Sequence, residues 1–98
     1  MERRRLIISG VAQGVGFRPF LYNLARKRRL TGWVRNNSAG VEVEVQGDAG
    51  NLAGFLNEVE TQAPPAARIE SVVSATIPVL QNEAGFKITP SEDGGVPG

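Results

Sequence analysis

The sequence contains no cysteine and no histidine. The first absence excludes disulfides and thiolate nucleophiles, and the second excludes imidazole bases. Together they remove any ordinary zinc site and any Ser/His/Asp arrangement. Chemistry on this chain must use Arg, Lys, Asn, Gln, Ser, Thr, carboxylates or backbone amides. A chain without cysteine suits a reducing compartment, and we expect a cytoplasmic location. Charge of one sign is also scarce: the net charge of +1 gives no general attraction to nucleic acid or to a membrane. No apolar run approaches a membrane span. The stretch after Arg3-Arg4-Arg5 is broken by Ser9, Gly10 and Gln13, which argues against an export signal. With 98 residues and 41% hydrophobic content, the chain is expected to build one domain around one core.

What the sequence does have is glycine in one telling place. Gly10 to Arg18 reads GVAQGVGFR and runs directly into Pro19. Three glycines (Gly10, Gly14, Gly16) separate the apolar run Leu6 to Ile8 from a helical pattern that starts near Phe17. Proline suits the first helical turn, where its missing N–H has no intrahelical acceptor to lose. The segment therefore reads as strand, tight loop, helix N-terminus, a place where unpaired N–H groups and the helix dipole favour an anion. Arg18 faces the positive end of that dipole, an unfavourable placement that a bound anion would reverse and that exposure to solvent would merely soften. Two familiar phosphate motifs are excluded. The loop lacks the Gly-Lys-Ser/Thr ending of a Walker A sequence, and Pro19 stands where a dinucleotide fingerprint has its third glycine.

Taken in order, residues 5–10 are predicted to be a first strand buried on both faces. Phe17, Phe20, Leu21 and Leu24 give one face of a helix running to about Arg29. The basic cluster Arg26 to Arg29 complements the dipole in its last turn, and no interleaved aromatics suggest nucleic-acid binding. Thr31 to Asn36 reads as a second strand, Asn37 to Gly40 as a turn, and Val41, Val43 and Val45 as a third strand. Glu42 and Glu44 alternate with these valines onto a solvated face. Either Asp48 or Asn51 caps a second helix, which carries Leu52, Phe55, Leu56 and Val59 to about Gln62 and stops at Pro64-Pro65. Residues 67–77 read as a long extended segment with Ile69, Val73 and Ile77 on one face, and Phe86 and Ile88 as a short last strand. Trp33 is read as sheet or core packing and Tyr22 as an ordinary helix position.

This order predicts an α+β fold: a ferredoxin-like βαββαβ sandwich, an antiparallel sheet with two helices on one face, plus a short C-terminal strand. Residues 1–90 would form the domain, and 91–98, with nothing to bury, a flexible tail or the start of an interdomain linker. A ferredoxin-like sheet that bound RNA would need aromatic pairs on its central strands, which this one lacks.

GVAQGVGFR followed by GWVRN resembles the signature of the acylphosphatase family. Phe17-Arg18-Pro19-Phe20 together with Pro64-Pro65-Ala66-Ala67-Arg68-Ile69-Glu70-Ser71-Val72 is most similar to the acylphosphatase-like domain that opens the hydrogenase-maturation carbamoyltransferases. The resemblance implies hydrolysis of an acyl phosphate, such as carbamoyl phosphate, without metal or cofactor. It assigns Arg18 and the amides of Gln13, Gly14, Val15, Gly16 and Phe17 to the phosphoryl group, and Asn36, rather than Asn37, to the attacking water. The implied partners are a small acyl phosphate or inorganic phosphate and the other domains of a larger maturation enzyme. Its cysteine-rich and nucleotide-using modules are absent from this chain, so a non-catalytic phosphate-binding or docking domain is the other reading.

Overall fold

Strand alternation decides which residues meet the helices. In the computed structural model, which describes residues 1–10, 16–38 and 40–90, β1 (Glu2–Ser9) turns Leu6 and Ile8 inward, where neither retains any exposure. Val34 of β2 (Thr31–Asn37) and Val41, Val43 and Val45 of β3 (Gly40–Gly47) face the same way. Over this face lie α1 (Phe17–Lys27), through Phe17, Leu21, Leu24 and Ala25, and α2 (Ala49–Thr61), through Leu52, Phe55 and Val59. β4 (Ser71–Ile77) and β5 (Phe86–Ile88) complete a sheet of order β4-β1-β3-β2-β5. The first four strands are antiparallel, whereas β5 runs parallel to β2. The sheet is therefore mixed rather than wholly antiparallel, because residues 78–85 carry the chain across the sheet and lay β5 along β2 in the same direction.

The helix ends differ from each other. α2 is capped by Asp48, whose carboxylate accepts the Asn51 N–H at 2.8 Å, so Asp48 takes the cap and Asn51 the bond. α1 ends before the expected Arg29. The Leu30 N–H donates to the Ala25 carbonyl at 2.9 Å and the Arg29 N–H to the Arg26 carbonyl at 3.1 Å. These two bonds make a Schellman turn, with Arg29 at φ 58° where glycine is usual. The left-handed conformation costs an ordinary residue about 1–2 kcal/mol. Arg26 and Lys27 already supply the cations of the last turn, so the few tenths of a kcal/mol that a further exposed cation gains from the dipole do not offset it. Arg29→Gly is expected to stabilise the fold by about 0.5–1 kcal/mol after glycine's own entropy cost, read as a higher Tm in thermal denaturation.

The outer face of the sheet departs most from expectation. Glu42 and Glu44 do not stand in water: Glu42 is 3% exposed, and both are covered by arginines from neighbouring strands. Arg5 Nε–H donates to Glu42 Oε2 at 2.7 Å, and Arg35 donates to Glu42 Oε1 from Nε at 3.2 Å and Nη2 at 3.1 Å. Arg3, 1% exposed, donates to Glu44 at 2.9 Å, to Gln46 at 3.2 Å and to Glu83 at 2.6 Å. Glu83 belongs to the 78–85 crossing, which roofs this end of the face. Trp33 packs on the same face with the Arg35 guanidinium 4.9 Å from its ring centroid. β4 is corrected likewise: Val72, opposite Ile8, packs against the core, while Val73, opposite Ile7, faces outward and is 61% exposed.

These pairs set the response to acid. Burial pushes the Glu42 carboxyl up, but hydrogen bonds and charge from Arg35 and Arg5 outweigh it and hold the group below its ordinary 4.5. Burial likewise pushes the Glu83 carboxyl up, but hydrogen bonds from Arg3 and Thr31 and the charge of Arg3 outweigh it and hold the group below its ordinary value. The Arg28 hydrogen bond lowers Glu58. A carboxylate whose folded pKa lies below its unfolded one contributes stability that is complete above the unfolded value and lost as pH falls through the folded one. Tm is therefore expected to hold steady from pH 7 to about 5 and to drop below about 4.5. A scan of Tm against pH checks this, and a Tm that stayed flat to pH 3 would contradict it.

Candidate functional site

β1 and β2 are both antiparallel to β3, so they run in the same direction. The end of β1, the start of α1 and the end of β2 consequently meet at one edge of the sandwich. Asn36 pairs with Val41, which pairs with Ile8, which pairs with Val72. Asn36 is thus the polar end of the last inward-facing row before β1 leaves the sheet, and it is buried at 8% exposure. Its neighbour Asn37 serves the hairpin instead, where its side-chain oxygen accepts the Gly40 N–H at 3.0 Å and fixes the turn. The two asparagines that the sequence offered are separated by the pleat, one inward and one in the turn.

Gly10 leaves β1 with φ 88°. A Cβ there would collide with Glu70 and come within 2.9 Å of the Arg68 carbonyl oxygen. The Glu70 N–H donates to the Ser9 carbonyl at 2.9 Å, so residues 68–70 back the start of the loop directly. Gln13, Gly14 and Val15 lie outside the described residues, as do Ala39 in the hairpin turn and the tail 91–98. At the loop's far end Gly16 is left-handed at φ 78°, and its Cβ position is open. Its glycine thus answers the backbone and leaves the approach to the helix clear.

α1 begins without a side-chain cap and without an acidic residue in its first turn. The Phe20 N–H donates to the Gly16 carbonyl at 3.0 Å, and Pro19 has no N–H. The N–H groups of Gly16, Phe17 and Arg18 therefore precede the first intrahelical bond. Phe17 is buried at 4% exposure and anchors the turn. Arg18 is half-buried at the positive end of the helix. Among the described residues it is the only Arg or Lys that is half-buried and makes no ion pair or hydrogen bond. The edge thus combines uncapped amides, an unpaired guanidinium and an inward amide side chain, a donor set suited to a tetrahedral oxyanion.

Sequence reasoning missed the backing of Gly10 by residues 68–70, which joins distant parts of the chain and leaves no local pattern. It also missed the buried Arg3. There a signal existed, because cations at Arg3 and Arg5 in β1 match anions at Glu42 and Glu44 in β3 with the same two-residue period.

Fold and edge define a class: a ferredoxin-like α+β domain in which a glycine loop ending in arginine leads into the first helix and an asparagine closes the second strand. The acylphosphatase family model matches residues 4–88, and the chain belongs to that family. The carbamoyltransferase HypF2 of Cupriavidus necator is 44% identical over 89 residues, covering 91% of this chain and 11% of that protein. An acylphosphatase of Clostridium acetobutylicum is 40% identical over 89 residues, covering 90% of this chain and 97% of its own. The crystal structure of full-length HypF in its phosphate- and nucleotide-bound form matches with a TM-score of 0.87 and 37% identity, over 95% of this chain and 12% of that one. Bacillus subtilis acylphosphatase matches at TM-score 0.83 and 33% identity, over 91% and 99% of the two chains. This acylphosphatase domain thus spans about a tenth of its carbamoyltransferase relatives and nearly all of the Clostridium acetobutylicum and Bacillus subtilis acylphosphatases. Among the described residues no helix is long and apolar enough to cross a membrane.

Proposed function

We propose that this domain hydrolyses acyl phosphates, with Arg18 and Asn36 as its catalytic residues. The observation that carries the reading is Arg18, half-buried and, among the described residues, unpaired beside the uncapped amides of α1. In the proposed mechanism the guanidinium and the amides of Gln13, Gly14, Val15, Gly16 and Phe17 hold the phosphoryl oxygens. Water attacks phosphorus, the bond from phosphorus to the acyl oxygen breaks, and a carboxylate leaves while the water's proton passes to phosphate and solvent. Asn36 accepts one O–H of that water through its side-chain carbonyl and donates its amide to a phosphoryl oxygen. It orients the nucleophile and takes no proton. Phosphoryl transfer asks mainly for positioning and charge stabilisation, and a carboxylate is a good leaving group, so this donor set suffices without a metal.

The likeness to HypF carbamoyltransferases extends the proposal to carbamoyl phosphate, acted on by this domain beside the other domains of a larger hydrogenase-maturation enzyme in the cytoplasm. The small share of those proteins that the chain covers favours a second reading, a domain that binds phosphate and docks but does not turn over alone. Hydrolysis of benzoyl phosphate and carbamoyl phosphate in EDTA separates the two. Turnover that disappears in Arg18→Ala supports the hydrolase. Phosphate binding without turnover supports the docking domain. Asn36→Ala is expected to lower kcat by about 10²–10³-fold while inorganic phosphate, followed by NMR at Gly16 to Arg18, binds nearly unchanged. Hydrolysis by that variant at the original rate would remove Asn36 from the mechanism.

A further inference from the structure

A cleft of about 350 Å³ runs from the middle of α1 to its C-terminal turn, lined by Tyr22, Arg26, Arg29, Leu30, Thr31, Gly85 and Phe86. Its volume falls at the small end of the range for small-molecule sites, roughly 300–1,000 Å³. Tyr22 and Phe86 form an aromatic wall, with ring centroids 6.3 Å apart and planes inclined by 58°. Two guanidiniums share the cleft, and among the described residues no carboxylate lines it. Arg26 donates to the Tyr22 hydroxyl at 3.0 Å and lies 5.6 Å from that ring's centroid, so a neutral group holds it and its charge stays uncompensated. Arg29 makes no ion pair or side-chain hydrogen bond among the described residues. It also occupies the left-handed position of the Schellman turn, where glycine would be more stable and where helix-dipole attraction does not recover the loss. A side chain held at such a position against local preference points to a role for its charge.

We infer that this cleft binds a small organic anion in which an aromatic or heterocyclic ring carries a phosphate or carboxylate. The ring lies along Tyr22 and Phe86, and the anionic group bridges Arg26 and Arg29, whose forked donors match such oxygens. The anion position is separate from the edge that carries Arg18: Tyr22 lies one turn along α1 from Arg18, but Arg26 is eight residues on, about 12 Å along the helix axis, and Arg29 lies beyond it.

The test uses phenyl phosphate, which has the ring and the anion but no acyl group to hydrolyse, beside inorganic phosphate alone. Binding is followed by NMR at Tyr22, Thr31 and Gly85 for the cleft and at Gly16 to Arg18 for the loop edge. The expected result is a saturable shift at the cleft with phenyl phosphate and a much weaker one with inorganic phosphate. Arg29→Gly, which is expected to fold at least as well as the parent, should weaken the cleft's affinity at least tenfold and leave the shifts at Gly16 to Arg18 in place. Arg26→Ala should do the same. Absence of a saturable shift at Thr31 and Gly85 would overturn the inference, as would unchanged affinity in both variants. Equal binding of inorganic phosphate at the cleft would overturn the aromatic part of the assignment. Arg18→Ala should leave the ligand shifts at Thr31 and Gly85 in place, so failure here and failure of the hydrolase reading are told apart.

Discussion

Arg18→Ala is expected to reduce acyl phosphate hydrolysis by at least about 10³-fold, the scale set by arginines that neutralise a transferring phosphoryl group. Phosphate binding should weaken with it, because the same guanidinium is proposed to hold both the ground state and the transition state. Unfolding would not explain such a loss. Among the described residues Arg18 makes no ion pair or hydrogen bond, and a cation at a helix N-terminus is unfavourable by a few tenths of a kcal/mol. The variant should therefore melt at the parent's temperature or slightly above it. Arg18→Lys sharpens the test, since lysine keeps the charge but loses the planar fork. Intermediate activity is expected, with the larger deficit in kcat. Steady-state kinetics on benzoyl phosphate, with phosphate titrations by NMR, give each quantity, and an Arg18→Ala variant that turned over normally would refute the proposed mechanism.

The largest effect on stability is expected at Arg3, far from that edge. Its guanidinium is buried, and it holds Glu44 of β3 and Glu83 of the 78–85 crossing at 2.8 and 2.6 Å. Arg3→Ala would leave these two carboxylates without the guanidinium that joins them. Breaking a buried ion pair by removing one partner costs about 3–5 kcal/mol. Both glutamates keep some contact with water, at 21% and 17% side-chain exposure, which points to the lower figure, about 3 kcal/mol. The crossing should loosen as well, then held there by the paired bonds between Gln46 and the Leu80 backbone, at 3.0 and 2.8 Å, and by the Gly32 N–H to Gly85 carbonyl bond at 3.1 Å. The sign of the pH dependence follows from Glu83, whose pKa is lowered in the fold. The stability it contributes is present above the ordinary carboxylate value and lost as pH falls, so the gap between parent and variant should narrow in acid. Replacing Arg3, Glu44 and Glu83 together by Met, Leu and Leu should recover most of the loss, because no charge is then stranded. Denaturant melts of the single and triple variants at pH 7 and pH 4 check both statements.

Much of the architecture was legible in the sequence because it is written in local periods. Phe17, Phe20, Leu21 and Leu24 gave α1 its buried face, and Val41, Val43 and Val45 gave β3 its inner one. The proposed site was legible for the same reason: a glycine loop, an arginine at a helix start and an asparagine at a strand end are local signs. Features that depend on register were harder to read. Alternation assigned Glu42 and Glu44 to the outer face correctly, but only the pairing of β1 and β2 on either side of β3 shows that Arg3, Arg5 and Arg35 cover them. In the segment before and within β4, Ile69 and Val72 meet the core while Val73 does not, because the strand begins only at Ser71 and the pleat has no hold on the residues ahead of it. The parallel pairing of β5 with β2 depends on the path of the 78–85 crossing, which has no periodicity to reveal it.

The backing of Gly10 by residues 68–70 has a consequence for the order of assembly. β1 is an inner strand whose neighbours are β3 and β4, and Ser9 must find Ser71 before the loop that follows it is braced. During synthesis the glycine loop is made well before its support, which arrives only when the region of Arg68 to Ile77 has been added. Closing so distant a contact makes the chain slower to fold than a helical bundle rich in local contacts. Until then a nascent chain carries the residues of its proposed anion site without the geometry that makes them an edge, so the proposed competence for phosphate would switch on late and together with the completed sheet.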